Sequence, residues 1–213
     1  MKINELENAV GGLSQTGKMP CPSWSISAKH CRVGSKLAKV QGSICEGCYA
    51  LKGMYAFRNV QDALERRLAC FLADSTTWAC NMAELIKRKG LAFFRWFDSG
   101  DLQSLEMLEA IVHVALSVPD CVFWLPTKEY GIVSQWIKTN GEFPENLTVR
   151  LSAYKRDTAA PTPQALRHLP SSIVTDHAAP LGHPCPSKDR GNKCGDCRAC
   201  WDRSVPVVSY FWH

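Results

Sequence analysis

The chain has 213 residues, 46% apolar and 21% charged, with 25 lysines and arginines against 20 aspartates and glutamates. That is material for a sizeable core and excludes a disordered polymer, and no apolar run is long enough to span a bilayer. The modest positive excess permits a nucleic-acid partner without requiring one. The start, Met1 to Glu7, lacks the apolar stretch of a secretory signal, so a cytosolic location is expected.

In chain order, the first fifty residues are rich in Gly, Ser, Pro and Cys and predict loops tied together by ligands, with a short strand near Lys36 to Val40. Helical spacing follows. Val60, Leu64, Leu68 and Phe71 share one face, and Trp78, Met82, Leu85 and Ile86 a second. Leu91 to Phe97 predicts a strand, interrupted by Arg95, that ends at Asp98-Ser99-Gly100-Asp101. Leu105, Leu108, Ile111, Val112 and Ala115 predict a helix that stops before Pro119. Val122 to Leu125 is the next strand, ending at Pro126-Thr127-Lys128. A helix with Ile132, Val133, Trp136 and Ile137 stops at Asn140-Gly141. Leu147 to Ala153 predicts a strand, and Thr162-Pro163 opens a short helix. Ser171 to Thr175 is a strand ending near Asp176-His177, and Val205 to Phe211 is the last.

Strands alternating with helices predict a parallel sheet with crossover helices. Five or six strands are too few for an eight-stranded barrel, so the expected fold is α/β, a partial, open parallel β/α barrel. Residues 1–57 form a cysteine-rich metal-binding region, 58–180 the barrel core, and 181–213 a C-terminal cysteine segment with the final strand. Reactive groups are expected at the C-terminal strand ends, where Asp98 to Asp101, Thr127-Lys128, Ser152 to Tyr154 and Asp176-His177 fall.

Eight of the eleven cysteines form two sets: Cys21, Cys31, Cys45 and Cys48, then Cys185, Cys194, Cys197 and Cys200. Close Cys-x-x-Cys pairs bring two thiolates to one soft metal centre, and in a reducing compartment ligation is favoured over disulfides. In the first set, three thiolates would hold a four-iron cluster with one iron open, four would close it, and zinc needs only a tetrahedron. Spacing does not choose; the fold context favours iron–sulfur. The second set reads as closed and structural, holding zinc or a second iron–sulfur cluster, with Arg190, Lys193, Arg198 and Arg203 around it.

Asp98, Asp101 and Lys128 are candidate catalytic groups, although the two aspartates also fit a turn beside a helix cap and Lys128 a solvated loop. Ser104 is a second candidate for that cap. Ser99, Gly100, Asp101 and Ser152 are candidate cofactor contacts. His177 is a candidate acid or base. Cys70, Cys80 and Cys121 read as buried thiols. Trp24, Trp201 and Trp212 are expected to shield a centre from water.

The string Met19 to Ser23, Gly42 to Gly53, Phe94 to Ser104, Phe123 to Glu129, Val149 to Tyr154 and Cys194 to Trp201 resembles the phage gene product 88 family. Its order is also similar to the phage gene product 37 and 68 family, regarded as radical-SAM-like. That likeness implies that Cys31, Cys45 and Cys48 hold a 4Fe-4S cluster. It also implies that Ser99, Gly100 and Asp101 meet the amino group of S-adenosylmethionine, and that Ser152 contacts the same cofactor. The implied enzyme would modify nucleic acid or a host component in the host cell cytoplasm. Three departures stand out: thirteen residues separate Cys31 from Cys45, Gly47 replaces the usual aromatic, and Cys21 is a potential closing ligand. Asp98-Ser99-Gly100-Asp101-Leu102-Gln103 and Leu125-Pro126-Thr127-Lys128 also resemble motifs of tRNA-guanine transglycosylases. These are zinc-bearing barrels in which Asp98 would serve base exchange. A non-catalytic module holding two metals is the third reading.

Overall fold

The computed structural model describes residues 1–176 and 180–212. Among these, seven strands form one sheet in which every neighbouring pair runs parallel. They are β1 (Ser23–Trp24), β2 (Phe93–Trp96), β3 (Val122–Thr127), β4 (Leu147–Ser152), β5 (Ser171–Thr175), β6 (His183–Pro184) and β7 (Val207–Phe211), in the order β1-β2-β3-β4-β5-β7-β6. The first five lie side by side in chain order. This is the winding of a β/α barrel, but β1 and β6 remain as edges and the sheet stays open.

The helices are α1 (Ile3–Ala9), α2 (Arg32–Leu37), α3 (Arg58–Ala73), α4 (Ser75–Arg88), α5 (Leu105–Ser117) and α6 (Tyr130–Asn140). Their ends follow local chemistry. Asp74 caps α4 by accepting from the Thr77 N–H, and Ser104, rather than Asp101, caps α5 through the Met107 N–H. Gly141, at φ 84°, ends α6.

Strand alternation gives the sheet two different faces. Phe94, Trp96, Phe123, Leu125, Leu147, Val149 and Leu151 enter the main core with the apolar sides of α1, α3, α4, α5 and α6. Phe93, Val122, Trp124, Val208 and Tyr210 point the other way and pack with Cys21, Cys197, Cys200 and Trp201. The C-terminal cysteine segment therefore lies on the face corresponding to a barrel interior. The expected strand near Lys36 to Val40 is instead the end of α2 and a turn; its apolar residues are too sparse to form a buried side, and Val40 is exposed. The helix expected at Thr162-Pro163 is a 3₁₀ turn, Gln164–Leu166. β3 continues through Pro126, where its pairing with β2 has already ended at Trp124, so the missing N–H costs no bond to β2. Cys121 is buried as expected, whereas Cys80 lies on the exposed side of α4. No helix among the described residues is long and apolar enough to cross a membrane.

Candidate functional site: a thiol triad over the strand ends

The turn after β2 is built on a close approach. Gly100 has φ 81°, and a Cβ there would stand 2.4 Å from Ile26 Cγ1 and 2.7 Å from the Ile26 carbonyl oxygen. Gly100→Ala is expected to cost roughly 2–4 kcal/mol, combining left-handed strain with overpacking. The midpoint of urea unfolding measures it.

Asp98 and Asp101, three positions apart in one turn, have different surroundings. One oxygen of Asp98 accepts from Ser23 Oγ at 2.8 Å and from Ser25 Oγ, and the other from Tyr55 Oη at 2.6 Å. Burial opposes its charge, but Arg95 and these hydroxyls outweigh burial and hold the carboxyl below its ordinary 3.8. The ionised form thus stabilises the fold above that value, and the benefit is lost as pH falls towards the lowered native pKa. Asp98→Asn is expected to lose roughly 2–3 kcal/mol at pH 7 and to flatten the acid limb of stability below pH 4, read by denaturant titration across pH.

Asp101 spans two strand ends. Its carboxylate accepts from Thr127 Oγ1 at 2.6 Å, the Leu102 N–H at 2.8 Å and the Lys128 N–H at 2.9 Å. Burial nevertheless prevails and lifts it to about 6. Between the aspartates, the buried Ser99 Oγ has no hydrogen-bond partner among the described residues.

Cys31, Cys45 and Cys48 gather beside Asp101 and Lys128. Each is anchored to a different strand end. Glu129, just past β3, accepts from the Val33 N–H at 2.7 Å and so holds the first turn of α2, of which Cys31 is the N-cap. The Ile44 N–H donates to the Tyr154 carbonyl beyond β4 at 2.9 Å, fixing the Cys45 loop. Tyr49 Oη donates to the Asp98 carbonyl after β2 at 2.6 Å, fixing Cys48. The Cys48 N–H reaches the Cys45 carbonyl at 3.2 Å around Gly47, whose φ is 67°, so the pair sits on one turn. Gly34 leaves room for the rest. The Cys31 and Cys45 sulfurs lie 3.6 and 3.7 Å from the point its Cβ would occupy.

Cys21 is elsewhere. Its sulfur shares the surroundings of Cys194, Arg95 and Arg198 on the opposite sheet face, with Cys185 and Cys197 next to Cys194. Cys200 lies near Cys185, its sulfur 3.1 Å from Tyr210 Oη. All eleven cysteines are free thiols.

Of the other candidates, Ser152 ends β4, its Oγ 3.4 Å from Ser172 Oγ and its carbonyl accepting from Tyr130. His177 lies outside the described residues. Trp24 does not shield a thiol site: it is in the main core, 4.9 Å from Trp78, because β1 turns it towards the helices. Trp201 does pack beside Cys21 and Cys200, and the exposed Trp212 lies under Arg156. Sequence reading passed over Glu129, Tyr49 and Tyr55 as anchors. Only the position of Tyr49 directly after Cys48 was a signal.

The fit of a metal centre to the triad can be judged from its electrostatics. Burial pushes Cys31 up to about 12, and Asp101, Cys48 and Cys45 push the same way against Lys128. Half-buried thiols crowded beside the buried Asp101 suit a cationic occupant that would take up the thiolates. Three soft sulfurs without an imidazole match iron–sulfur ligation in kind. Among the described residues, no three Cys, His, Asp or Glu side chains converge on a single-ion position.

Parallel strands wound in chain order, with polar and thiol groups over their C-terminal ends, define an open, all-parallel α/β protein. The chain belongs to the gene product 88 family, whose profile matches residues 2–203. No curated protein and no solved structure gives a match.

Proposed function

We propose that Cys31, Cys45 and Cys48 hold a 4Fe-4S cluster with one iron open, and that the protein is a phage-type, radical-SAM-like enzyme of the host cytoplasm modifying nucleic acid or a host component. The observation that carries this reading is the separation of Cys21 from the triad, which leaves three thiols, and not four, over the strand ends. When bound, such a cluster supplies an electron to a sulfonium. The chain's own residues would handle the rest of S-adenosylmethionine. Asp101 offers a carboxylate to an ammonium, Lys128 a cation to a carboxylate, and Ser99 an unpaired buried hydroxyl. The strand-end turns and the anchored 31–55 segment would keep water from the reacting atoms.

The base-exchange reading depends on Asp98 moving a proton. The hydroxyl cage around Asp98 suits a fixed structural carboxylate better than a working acid or base. Anaerobic purification with iron and sulfide analysis, then assay for 5′-deoxyadenosine from S-adenosylmethionine under reduction, tests the proposal. A colourless protein without iron overturns it. Iron without 5′-deoxyadenosine in several reductants favours the non-catalytic binding module.

A further inference from the structure

Directly after Cys48 the chain runs through two 3₁₀ turns, Tyr49–Leu51 and Gly53–Ala56, into the start of α3. These turns put four large apolar side chains on the outside. Tyr49, Leu51, Met54 and Phe57 are 63%, 43%, 74% and 59% exposed. Leu72 on α3 and Leu116 on α5 are as exposed, but each stands singly on its helix. The segment is tied down all the same. Tyr49 Oη donates to the Asp98 carbonyl and Tyr55 Oη to the Asp98 carboxylate, both at 2.6 Å, and Gln61 Nε2 donates to the Tyr55 carbonyl at 2.7 Å. The Tyr49 and Tyr55 rings meet edge to face with centroids 5.8 Å apart. Grouped apolar side chains left in water by a fixed backbone mark a surface that another molecule covers.

The charge around this surface identifies the partner. Between residues 28 and 58 the chain carries six lysines and arginines, all exposed, against one acid, Glu46, which is occupied with the Gly42 N–H at 2.7 Å. Lys52 and Arg58 are interleaved with the apolar residues, and Arg58 meets Asp62 only at 3.8 Å with both side chains in water. Lys52 Nζ lies 3.0 Å from the point a Gly47 Cβ would occupy, beside the Cys45–Cys48 turn. Rings alternating with cations match an unpaired strand, whose bases stack on the rings and whose phosphates meet the cations. A duplex keeps its bases stacked on one another. A bilayer surface favours a longer helix with one apolar side, which turns of three and four residues do not offer.

We propose that residues 49–57 are a docking platform for single-stranded nucleic acid, with Tyr49 and Phe57 stacking bases and Lys52 and Arg58 meeting phosphates, so that the strand passes the rim of the thiol triad. This names the substrate class of the proposed enzyme, and it rests on that reading only for what happens to the strand once bound.

The test is fluorescence anisotropy of the full chain, purified anaerobically, with one labelled mixed-sequence oligonucleotide as single-stranded DNA, single-stranded RNA and duplex DNA. Either single strand should bind at least about ten-fold tighter than the duplex, and a preference between the two names the sugar. Phe57→Ala should weaken single-strand binding at least about five-fold, the loss of one stack, and Phe57→Trp should restore it. Because the Phe57 side chain is exposed, its alanine variant keeps the wild-type unfolding midpoint. Lys52→Gln should lower the salt slope of binding by roughly 0.7. Leu72→Ala, at the far end of α3, should bind as the wild type does. Duplex bound as tightly as single strand, Phe57→Ala binding as wild type, or Leu72→Ala losing as much as Phe57→Ala overturns the proposal. So does Phe57-dependent sedimentation with phosphatidylglycerol vesicles in place of oligonucleotide binding. The two readings fail separately. Iron-loaded protein that binds no strand overturns the platform alone, whereas colourless protein that binds it through Phe57 supports the platform and overturns only the cluster.

Discussion

Cys45→Ser is expected to abolish iron retention at the triad and to lower 5′-deoxyadenosine formation at least about 100-fold, because loss of an outer-shell partner alone already costs about 10–100-fold at metal sites. Cys45 is the informative choice: its sulfur faces Cys31 across Gly34, and its loop is fixed by the Ile44–Tyr154 hydrogen bond, so the substitution removes a donor and leaves the scaffold in place. Lys128→Met separates metal binding from turnover. The Lys128 backbone N–H to Asp101 survives that change, whereas the ammonium beside Cys31 and Cys45 is lost. Iron should stay near the wild-type level while turnover falls. Full turnover in Lys128→Met would remove that side chain from the proposed cofactor contacts.

Arg150→Leu should be the most destabilising single change outside the triad. Arg150 is fully buried on β4, facing the cysteine segment. Its guanidinium donates to the carbonyls of Ala199 at 3.0 Å, Asp202 at 2.9 Å, Val205 at 3.0 Å and Ser171 at 2.9 Å, with Cys200 at 3.5 Å. One side chain thereby gathers the backbone of the segment that carries Cys197 and Cys200. Leucine leaves those acceptors without donors, at roughly 3–5 kcal/mol. Thermal unfolding should drop by about 10 °C or more for a chain of this size. Arg150→Lys keeps the charge but offers a point donor in place of a planar fork, and should recover less than half of the loss. Thr148 and Trp201 supply the supporting bonds, Thr148 Oγ1 to the Trp201 carbonyl at 2.7 Å and Trp201 Nε1 to the Phe94 carbonyl at 2.9 Å. These bonds hold Trp201 to β2 and β4 independently of Arg150.

Much of the scaffold was readable along the chain. The helices around Leu64, Trp78, Leu108 and Trp136 and the strands around Phe94, Phe123, Val149 and Ile173 stand where apolar periodicity puts them. The predicted strand ends coincide with the polar edge of the sheet, because parallel strands share one direction. The two-residue strands β1 and β6 could not be seen, since two residues carry no period. Arg150 was hidden because a lone arginine in a strand has no local signal of the five carbonyls it meets.

The cysteine spacing by itself determined that thiols would meet at tight turns, since a Cys-x-x-Cys turn is closed by its own backbone hydrogen bond. Which thiols stand together was decided by tertiary structure. Cys21 is ten residues from Cys31 but belongs with Cys194, because β1 intervenes and the open sheet brings its two edges to the same loop. The difference between Asp98 and Asp101 was likewise tertiary, because hydroxyls from remote loops satisfy one while burial raises the other. Local periodicity encodes elements through chain neighbours, whereas the grouping of thiols and the charge of a carboxyl depend on how the sheet brings residues from distant parts of the chain into one place.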